Sequence, residues 1–127
     1  NNGNHSRDFT YVDDIVEGIY LSSISKKELI DSNFDSKDPS RSFCKSIIFN
    51  LGRGKPENLE DFIDEIENNL GKRAKRNLMP LQPGDVPDTS ADISGLKDFS
   101  GYEPKTSIKI GVKNFIDWYK EYYKVNL

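Results

Sequence analysis

Cysteine, histidine and long apolar runs are almost missing from this sequence. Cys44 is the only cysteine and His5 the only histidine among the 127 residues, which excludes an internal disulfide and a multi-cysteine zinc site. No apolar run approaches the roughly 20 residues that cross a bilayer, and no signal-peptide pattern opens the chain. We therefore expect a soluble protein of the reducing cytoplasm, with no metal site and no membrane partner.

An excess of basic charge is missing as well. The chain has 18 basic and 21 acidic side chains, for a net charge of −3, so it lacks the long-range field that attracts nucleic acid. A short basic cluster, Lys72, Arg73, Lys75 and Arg76, does not change this, since such clusters are usually solvated or lie at helix C-termini. Nucleic acid is not an expected partner.

The hydrophobic pattern predicts three longer helices and a short one. Asp13 or Asp14 caps the first helix, Asn58 the second and Thr106 the last, because such side chains accept hydrogen bonds from first-turn N–H groups. Gly71 ends the second helix, and the short helix at residues 92–99 is broken by residues 101–104. The faces predicted to be buried are Ile15, Val16, Ile19 and Tyr20; Leu59, Phe62, Ile63, Ile66 and Leu70; and Ile108, Val112, Phe115, Ile116 and Tyr119.

Between these helices the sequence predicts one buried strand and two irregular stretches. The strand is the apolar run at residues 46–50, which Gly52 and Gly54 end. Residues 25–45 are polar and predict a mobile surface connection. Residues 82–91 contain two prolines and a glycine, which oppose regular structure. The expected fold class is α/β, a single domain over residues 1–127 with three to four helices and a few short strands.

Two segments far apart in the sequence carry a family resemblance. They are residues 7–14, Arg-Asp-Phe-Thr-Tyr-Val-Asp-Asp, and residues 82–89, Gln-Pro-Gly-Asp-Val-Pro-Asp-Thr. Together they resemble the C-terminal, substrate-binding part of NAD-dependent nucleotide-sugar epimerases of the extended short-chain dehydrogenase type, and most closely the UDP-glucuronate 4-epimerases. The resemblance covers nearly the whole chain and implies that its ligand is a UDP-sugar.

The resemblance implies four substrate-binding side chains. Arg7 meets the substrate phosphates, a role that suits its planar fork of donors. Asp85 contacts the ribose of the nucleotide. Gln82 stands where many relatives have an arginine, so it brings a hydrogen bond but no second charge. Thr89 borders the sugar, and its small side chain leaves room for a carboxylate or an N-acetyl group.

The residues by themselves leave other roles open for the charged groups of the first motif. Arg7 is also compatible with a surface cation paired with Asp8 or Asp13. Asp13 and Asp14 are better explained as helix caps than as an acid/base pair, since consecutive side chains point in different directions. His5 is interpreted as a loop residue, with an approach to the substrate as the alternative.

The groups that would perform the chemistry are missing from these residues. The resemblance implies an upstream glycine-rich dinucleotide loop and a catalytic Tyr-x-x-x-Lys. No tyrosine here is followed by lysine four positions later, and Glu57 stands where a third glycine would follow Gly52 and Gly54. We therefore predict no catalytic, cofactor-binding or metal-binding residue in this chain, and no Rossmann domain. NAD is expected in the intact enzyme and not on this chain.

Two expectations follow if the chain is such a fragment. It is inactive on its own, and its bared apolar surface is hidden by self-association, most simply as a homodimer. Two other interpretations stay open. A nucleotide-sugar dehydratase or decarboxylase would share this domain and differ in residues around the nicotinamide. A free-standing interaction domain without enzymatic activity is the other interpretation, and a start codon directly before Asn1 would favour it.

Overall fold

The structure is a computed structural model that describes residues 1–27, 39–40 and 46–125. Its elements in chain order are β1 (Ser6–Arg7), α1 (Val12–Ile24), β2 (Glu57–Asn58), α2 (Leu59–Leu70), α3 (Ser94–Ser100) and α4 (Ile108–Tyr123). The two strands pair antiparallel, with Ser6 opposite Asn58. The predicted α/β class with four helices is confirmed, and the residues described here form no Rossmann domain. Most of the predicted connection at residues 25–45 lies outside them.

Helix α2 begins and ends where the sequence predicts. The Asn58 side chain accepts a hydrogen bond of 2.9 Å from the Glu60 N–H group. Glu60 and Asp61 lie in the first turn, where the helix dipole favours negative charge. Gly71 follows the helix with a φ of 65°, a left-handed conformation that costs glycine little because it has no Cβ. Each of these signals is local, so each can be read from the sequence.

The caps predicted for α1 and α4 are wrong, because a tertiary contact uses both side chains. Tyr11 precedes α1 without a side-chain capping bond. Asp14 is instead buried, and its carboxylate accepts hydrogen bonds from the Thr106 N–H group at 3.0 Å and the Thr106 hydroxyl at 3.1 Å. Thr106 is therefore occupied, and Ser107 caps α4 by accepting from the Ile110 N–H group.

The apolar face of α1 is exposed, so the prediction that it forms core is wrong for this chain. Val16, Ile19 and Tyr20 are 58%, 59% and 60% exposed. The buried residues of α1 are Asp14 and Gly18, and α1 packs against α3. The helix thus turns Asp14 and Gly18 inward, half-buries Ile15 and leaves the rest of its apolar stripe in solvent.

Residues 46–50 do not form the predicted buried strand. They lie outside β1 and β2, and Ile48 is 70% exposed. Phe49 is partly buried because its ring stacks on Phe99, with 5.0 Å between the ring centroids. The apolar composition of this run suits burial, but the described part of the chain does not cover it.

The core is small and includes Tyr102, a residue that the sequence did not single out. Tyr102 is fully buried, and Leu96, Val112 and Ile116 are buried with it. Its hydroxyl donates to the Gly52 carbonyl at 3.0 Å. Burial, assisted by nearby carboxylates, raises the pKa of Tyr102 to about 12. Tyr102 thereby fixes the turn at Gly52-Arg53-Gly54, the glycine turn, to the chain that follows α3.

Helix α4 packs against α2 but buries only part of its predicted face. Val112 and Ile116 are buried, whereas Phe115 and Tyr119 are 55% and 37% exposed. The prediction of a fully buried stripe is therefore wrong for these two aromatic residues. The break predicted after α3 is confirmed, since Gly101 ends that helix with a φ of 75°. None of the helices in the described ranges has the length and apolar character needed to span a bilayer.

Candidate functional site

The two motifs meet along β1 although Arg7 and Asp85 are 78 positions apart in the sequence. The Ser6 N–H group donates to the Pro87 carbonyl at 3.0 Å, and the Thr89 N–H group donates to the Ser6 carbonyl at 3.2 Å. These bonds form a parallel bridge between Ser6 and Asp88. The second motif is thus held along one edge of β1, while β2 occupies the other edge.

Arg7 and Asp85 form an ion pair at this junction. The Arg7 Nη2 atom lies 3.0 Å from Asp85 Oδ1 and 3.3 Å from Oδ2. Its Nη1 atom donates to the carbonyls of Pro87 at 2.7 Å and Ser6 at 2.9 Å. Arg7 therefore pairs with Asp85. Asp8 and Asp13, the partners expected if Arg7 were only a surface cation, are not bonded to it in the described ranges.

This ion pair is accessible to a ligand. The side chains of Arg7 and Asp85 are 27% and 43% exposed, so solvent screens the pair and it contributes little to stability. Within the described ranges, the Nε–H group of Arg7 has no hydrogen-bond partner. The guanidinium group is thus held in place by two backbone carbonyls while part of its donor surface faces outward.

A cleft of about 710 Å³ opens beside Asp85. Its volume lies within the range of about 300–1,000 Å³ that is usual for small-molecule sites. Gln82, Asp85 and His5 contribute polar groups to its lining, and Leu59 and Met79 are among its apolar residues. An apolar surface with a few polar groups at one end suits a ligand that combines a flat ring with hydroxyl groups.

Hydrogen bonds within the Pro-Gly-Asp turn hold Asp85 at the cleft. The Asp85 N–H group donates to the Gln82 carbonyl at 3.2 Å, and Asp85 Oδ1 accepts from the Val86 N–H group at 2.8 Å. Gly84 sits inside the turn with a φ of 85°. The Gln82 amide donates to the Pro80 carbonyl at 3.4 Å. Gln82 therefore lines the cleft, but its amide is turned toward its own loop.

Thr89 lies in a different, smaller cleft. This second cleft measures about 310 Å³ and is also lined by Asp8, Thr10, Asn50 and Gly52. The Arg7 side chain bonds to Asp85, whereas the carboxylate of Asp8, the residue after β1, accepts bonds from Arg53, Gly54 and Ala91. The structure thus places Gln82 and Asp85 in the larger cleft, Arg7 at its ion pair with Asp85, and Thr89 in the smaller cleft.

One wall of the larger cleft contains residues that the sequence analysis did not assign to a site. Arg76 lines this wall and pairs with Glu60, with Asp64 at 2.7 Å and with Glu67 at 3.4 Å. The basic cluster is therefore not merely solvated. The three acids recur at helical spacing on one face of α2, which is a signal that the sequence did contain.

Glu67 holds the same wall to α2. Its carboxylate accepts a hydrogen bond of 2.9 Å from the Ala74 N–H group. This bond and the one from the Arg73 guanidinium lower the pKa of Glu67. Residues 73–76 are thereby anchored to α2, although they form no helix or strand.

The described residues contain no cluster of three or more histidine, cysteine, aspartate or glutamate side chains that could hold a metal ion. The turn at Gly52-Arg53-Gly54 also does not fit the phosphates of a dinucleotide. Its N–H groups at Arg53 and Gly54 donate to the Asp8 carboxylate, at 3.1 and 2.9 Å. A carboxylate of the chain itself therefore fills the place that a phosphate would need.

Comparison with known proteins shows which proteins the chain resembles. No protein-family model matches the chain. The chain is 46% identical over 127 residues to Protein CapI of Staphylococcus aureus, covering 98% of this chain and 37% of that protein. It is 38% identical over 125 residues to UDP-glucuronate 4-epimerase 2 of Arabidopsis thaliana, covering 98% of this chain and 28% of the plant protein.

A solved structure shows the same similarity. The UDP-glucuronic acid 4-epimerase from Bacillus cereus, crystallised with UDP-glucuronic acid and NAD, is similar with a TM-score of 0.74 and 28% identity. The similarity covers 96% of this chain and 34% of that one. The chain is thus similar to UDP-glucuronate 4-epimerases over nearly its whole length and spans about a third of theirs. The predicted resemblance is confirmed.

Proposed function

We propose that this chain is the nucleotide-sugar-binding part of an NAD-dependent UDP-sugar 4-epimerase, of the UDP-glucuronate or UDP-hexose type, and that it is inactive on its own. The observation that carries the proposal is the meeting of the two motifs along β1, where Arg7 is in direct contact with Asp85, a residue that lines the larger cleft. Relatives of the chain are named UDP-glucuronate 4-epimerases, which supports the choice of ligand.

In this proposal the ion pair opens when the ligand binds. The diphosphate takes the place of the Asp85 carboxylate at the Arg7 guanidinium, and the ribose hydroxyls donate to the freed carboxylate. Each charged group exchanges one partner for another, so neither is left unpaired. Gln82 adds an uncharged hydrogen-bonding group, and Thr89 borders the sugar in the smaller cleft.

NAD belongs to the rest of the intact enzyme and supplies hydride transfer to and from the sugar. The residues described here would position the nucleotide sugar. They hold the nucleotide so that the reacting carbon faces the nicotinamide. Holding the two reactants in the right geometry accounts for a large part of the rate gain in such reactions.

The assignment of Asp85 is testable with UDP and its 2′-deoxyribose analogue. Because the cleft is open to solvent, we expect millimolar affinity for UDP, about 4 kcal/mol. The native chain should prefer UDP over the analogue, and Asp85→Ala should bind both alike, with a loss of about 1–2 kcal/mol for UDP. Amide chemical shifts in titrations of the ¹⁵N-labelled chain measure both. Asp98→Ala is the matched control, and an Asp85→Ala variant that still discriminates fully would contradict the ribose contact.

We also propose that the exposed face of α1 is covered by the remainder of the intact enzyme, and that the isolated chain covers it by forming a homodimer. Val16 and Ile19 are its most useful probes because both are more than half exposed. Light scattering should give a dimer for the native chain at high concentration and a monomer for the double variant Val16→Lys, Ile19→Lys.

The control for this experiment is Phe115→Lys, which places a lysine on the exposed face of α4. That variant is expected to dimerise as the native chain does. A native chain that is monomeric at every concentration argues against self-association. Dissociation caused by Phe115→Lys alone would show that the dimer contact is formed by α4 and not by α1.

A further inference from the structure

Asp8 is a charged residue of the first motif that has no role in ligand binding so far. Its Oδ2 atom accepts hydrogen bonds from the Gly54 and Ala91 N–H groups, both at 2.9 Å, and its Oδ1 atom accepts from Arg53 N–H at 3.1 Å. Its own N–H group lies 3.4 Å from the Thr89 hydroxyl, to which it donates. One carboxylate thus joins three segments that are far apart in the sequence.

The segments are packed tightly around this carboxylate. A Cβ atom at Gly52 would lie 2.7 Å from the Ala91 Cβ and 3.1 Å from Asp8 Oδ2. The Gly52 carbonyl is held from the other side by the Tyr102 hydroxyl. The glycine turn can therefore approach Asp8 only because residue 52 has no side chain.

The three N–H groups form a site for an anion. Backbone donors that converge on one point stabilise negative charge, and hydrogen bonds to an ionised acceptor are stronger than neutral ones. An asparagine at this position would turn an NH₂ group toward at least one of the donors, since its amide has only one acceptor atom. The arrangement therefore requires the carboxylate, and not merely a side chain of its size.

We propose that Asp8 is a positioning residue for the sugar end of the ligand. By holding Arg53, Gly54 and Ala91 it fixes the wall of the smaller cleft and the position of Thr89, while Arg7 takes the diphosphate. This inference rests on the proposed function. Asp8 then governs recognition of the sugar and leaves recognition of the nucleotide unchanged.

The test uses the ¹⁵N-labelled chain with two ligands, UDP and UDP-glucuronate. In the native chain both ligands should shift the amide signals of Gln82 and Asp85, and only UDP-glucuronate should also shift those of Thr89, Ser90 and Ala91. In Asp8→Ala the second set of shifts should be lost and the first set retained.

Formate separates a specific anion site from a general structural role. In Asp8→Ala, added formate is expected to shift the Arg53, Gly54 and Ala91 amides together and to restore the response of Thr89 to UDP-glucuronate. Asp8→Asn should lose that response and gain nothing from formate, because its amide fills the space. This variant also keeps the test available if Asp8→Ala does not fold.

The outcomes distinguish the inference from the function on which it rests. An unchanged Thr89 response in Asp8→Asn, or no effect of formate on the three amides of folded Asp8→Ala, would overturn the role of Asp8. Failure of both ligands to shift Gln82 and Asp85 in the native chain would instead count against the proposed function, and formate would still report on the anion site.

Discussion

The Tyr102→Ala variant is expected to lose about 3–5 kcal/mol of folding free energy, the range for aromatic side chains removed from cores. Tyr102 is fully buried, and its ring closely approaches Gly18, where a Cβ would lie 3.0 Å from it. Its removal leaves a cavity between α1 and the glycine turn and leaves the Gly52 carbonyl without its donor. Because small domains have only about 5–15 kcal/mol of stability, urea unfolding should show a large fall in the midpoint.

Two variants show which part of the side chain is responsible. Tyr102→Phe keeps the ring and removes only the hydroxyl, so the expected loss is about 1–2 kcal/mol. Tyr122 is 66% exposed, and Tyr122→Ala should change stability by less than about 0.5 kcal/mol. Equal losses for Tyr102→Ala and Tyr122→Ala would show that Tyr102 does not organise the core.

Arg7→Ala is expected to weaken UDP-sugar binding by about 2–4 kcal/mol in a protein of the length of the relatives. The variant removes the positive group that faces the diphosphate and leaves Asp85, a like charge, beside it. Isothermal calorimetry with UDP measures this loss. In the isolated chain, where we expect only about millimolar affinity, the same change should remove detectable binding.

The controls separate charge from geometry. Arg7→Lys keeps the charge but loses the planar fork, so its affinity should fall between the native protein and Arg7→Ala. Lys113→Ala removes an exposed cation of α4 that pairs with Asp117 and is not part of the cleft lining, and it should bind UDP as the native protein does. An unchanged dissociation constant for Arg7→Ala would remove Arg7 from the site.

The helix ends that the sequence predicted correctly depend on local interactions. Asn58 caps α2 through an N–H group two residues away, and Gly71 ends it through its own backbone conformation. The wrong caps involve a distant partner. Asp14 has the composition of a capping residue, but it bonds to Thr106, ninety-two residues along the chain, and no local pattern reveals that contact.

Part of the candidate site was likewise predictable from the sequence, and part was not. The two motifs identified Arg7, Gln82, Asp85 and Thr89 from the sequence through a family resemblance. Only the pairing of β1 with the second motif decides that Arg7 contacts Asp85 and that Thr89 lies in another cleft. Likewise, the acidic residues of α2 were visible in the sequence, but their partner Arg76 was not.

By itself, the sequence determined the α/β class, the limits of α2 and the epimerase-like motifs, because capping, turns and short motifs depend on residues close together in the chain. The tertiary structure decided which apolar faces are covered, which carboxylates cap and which connect, and how the two motifs meet. Val16 and Ile48 are residue types that usually lie in cores, and both are nevertheless exposed. Burial depends on what packs against a side chain, and that partner is not encoded in the neighbouring residues.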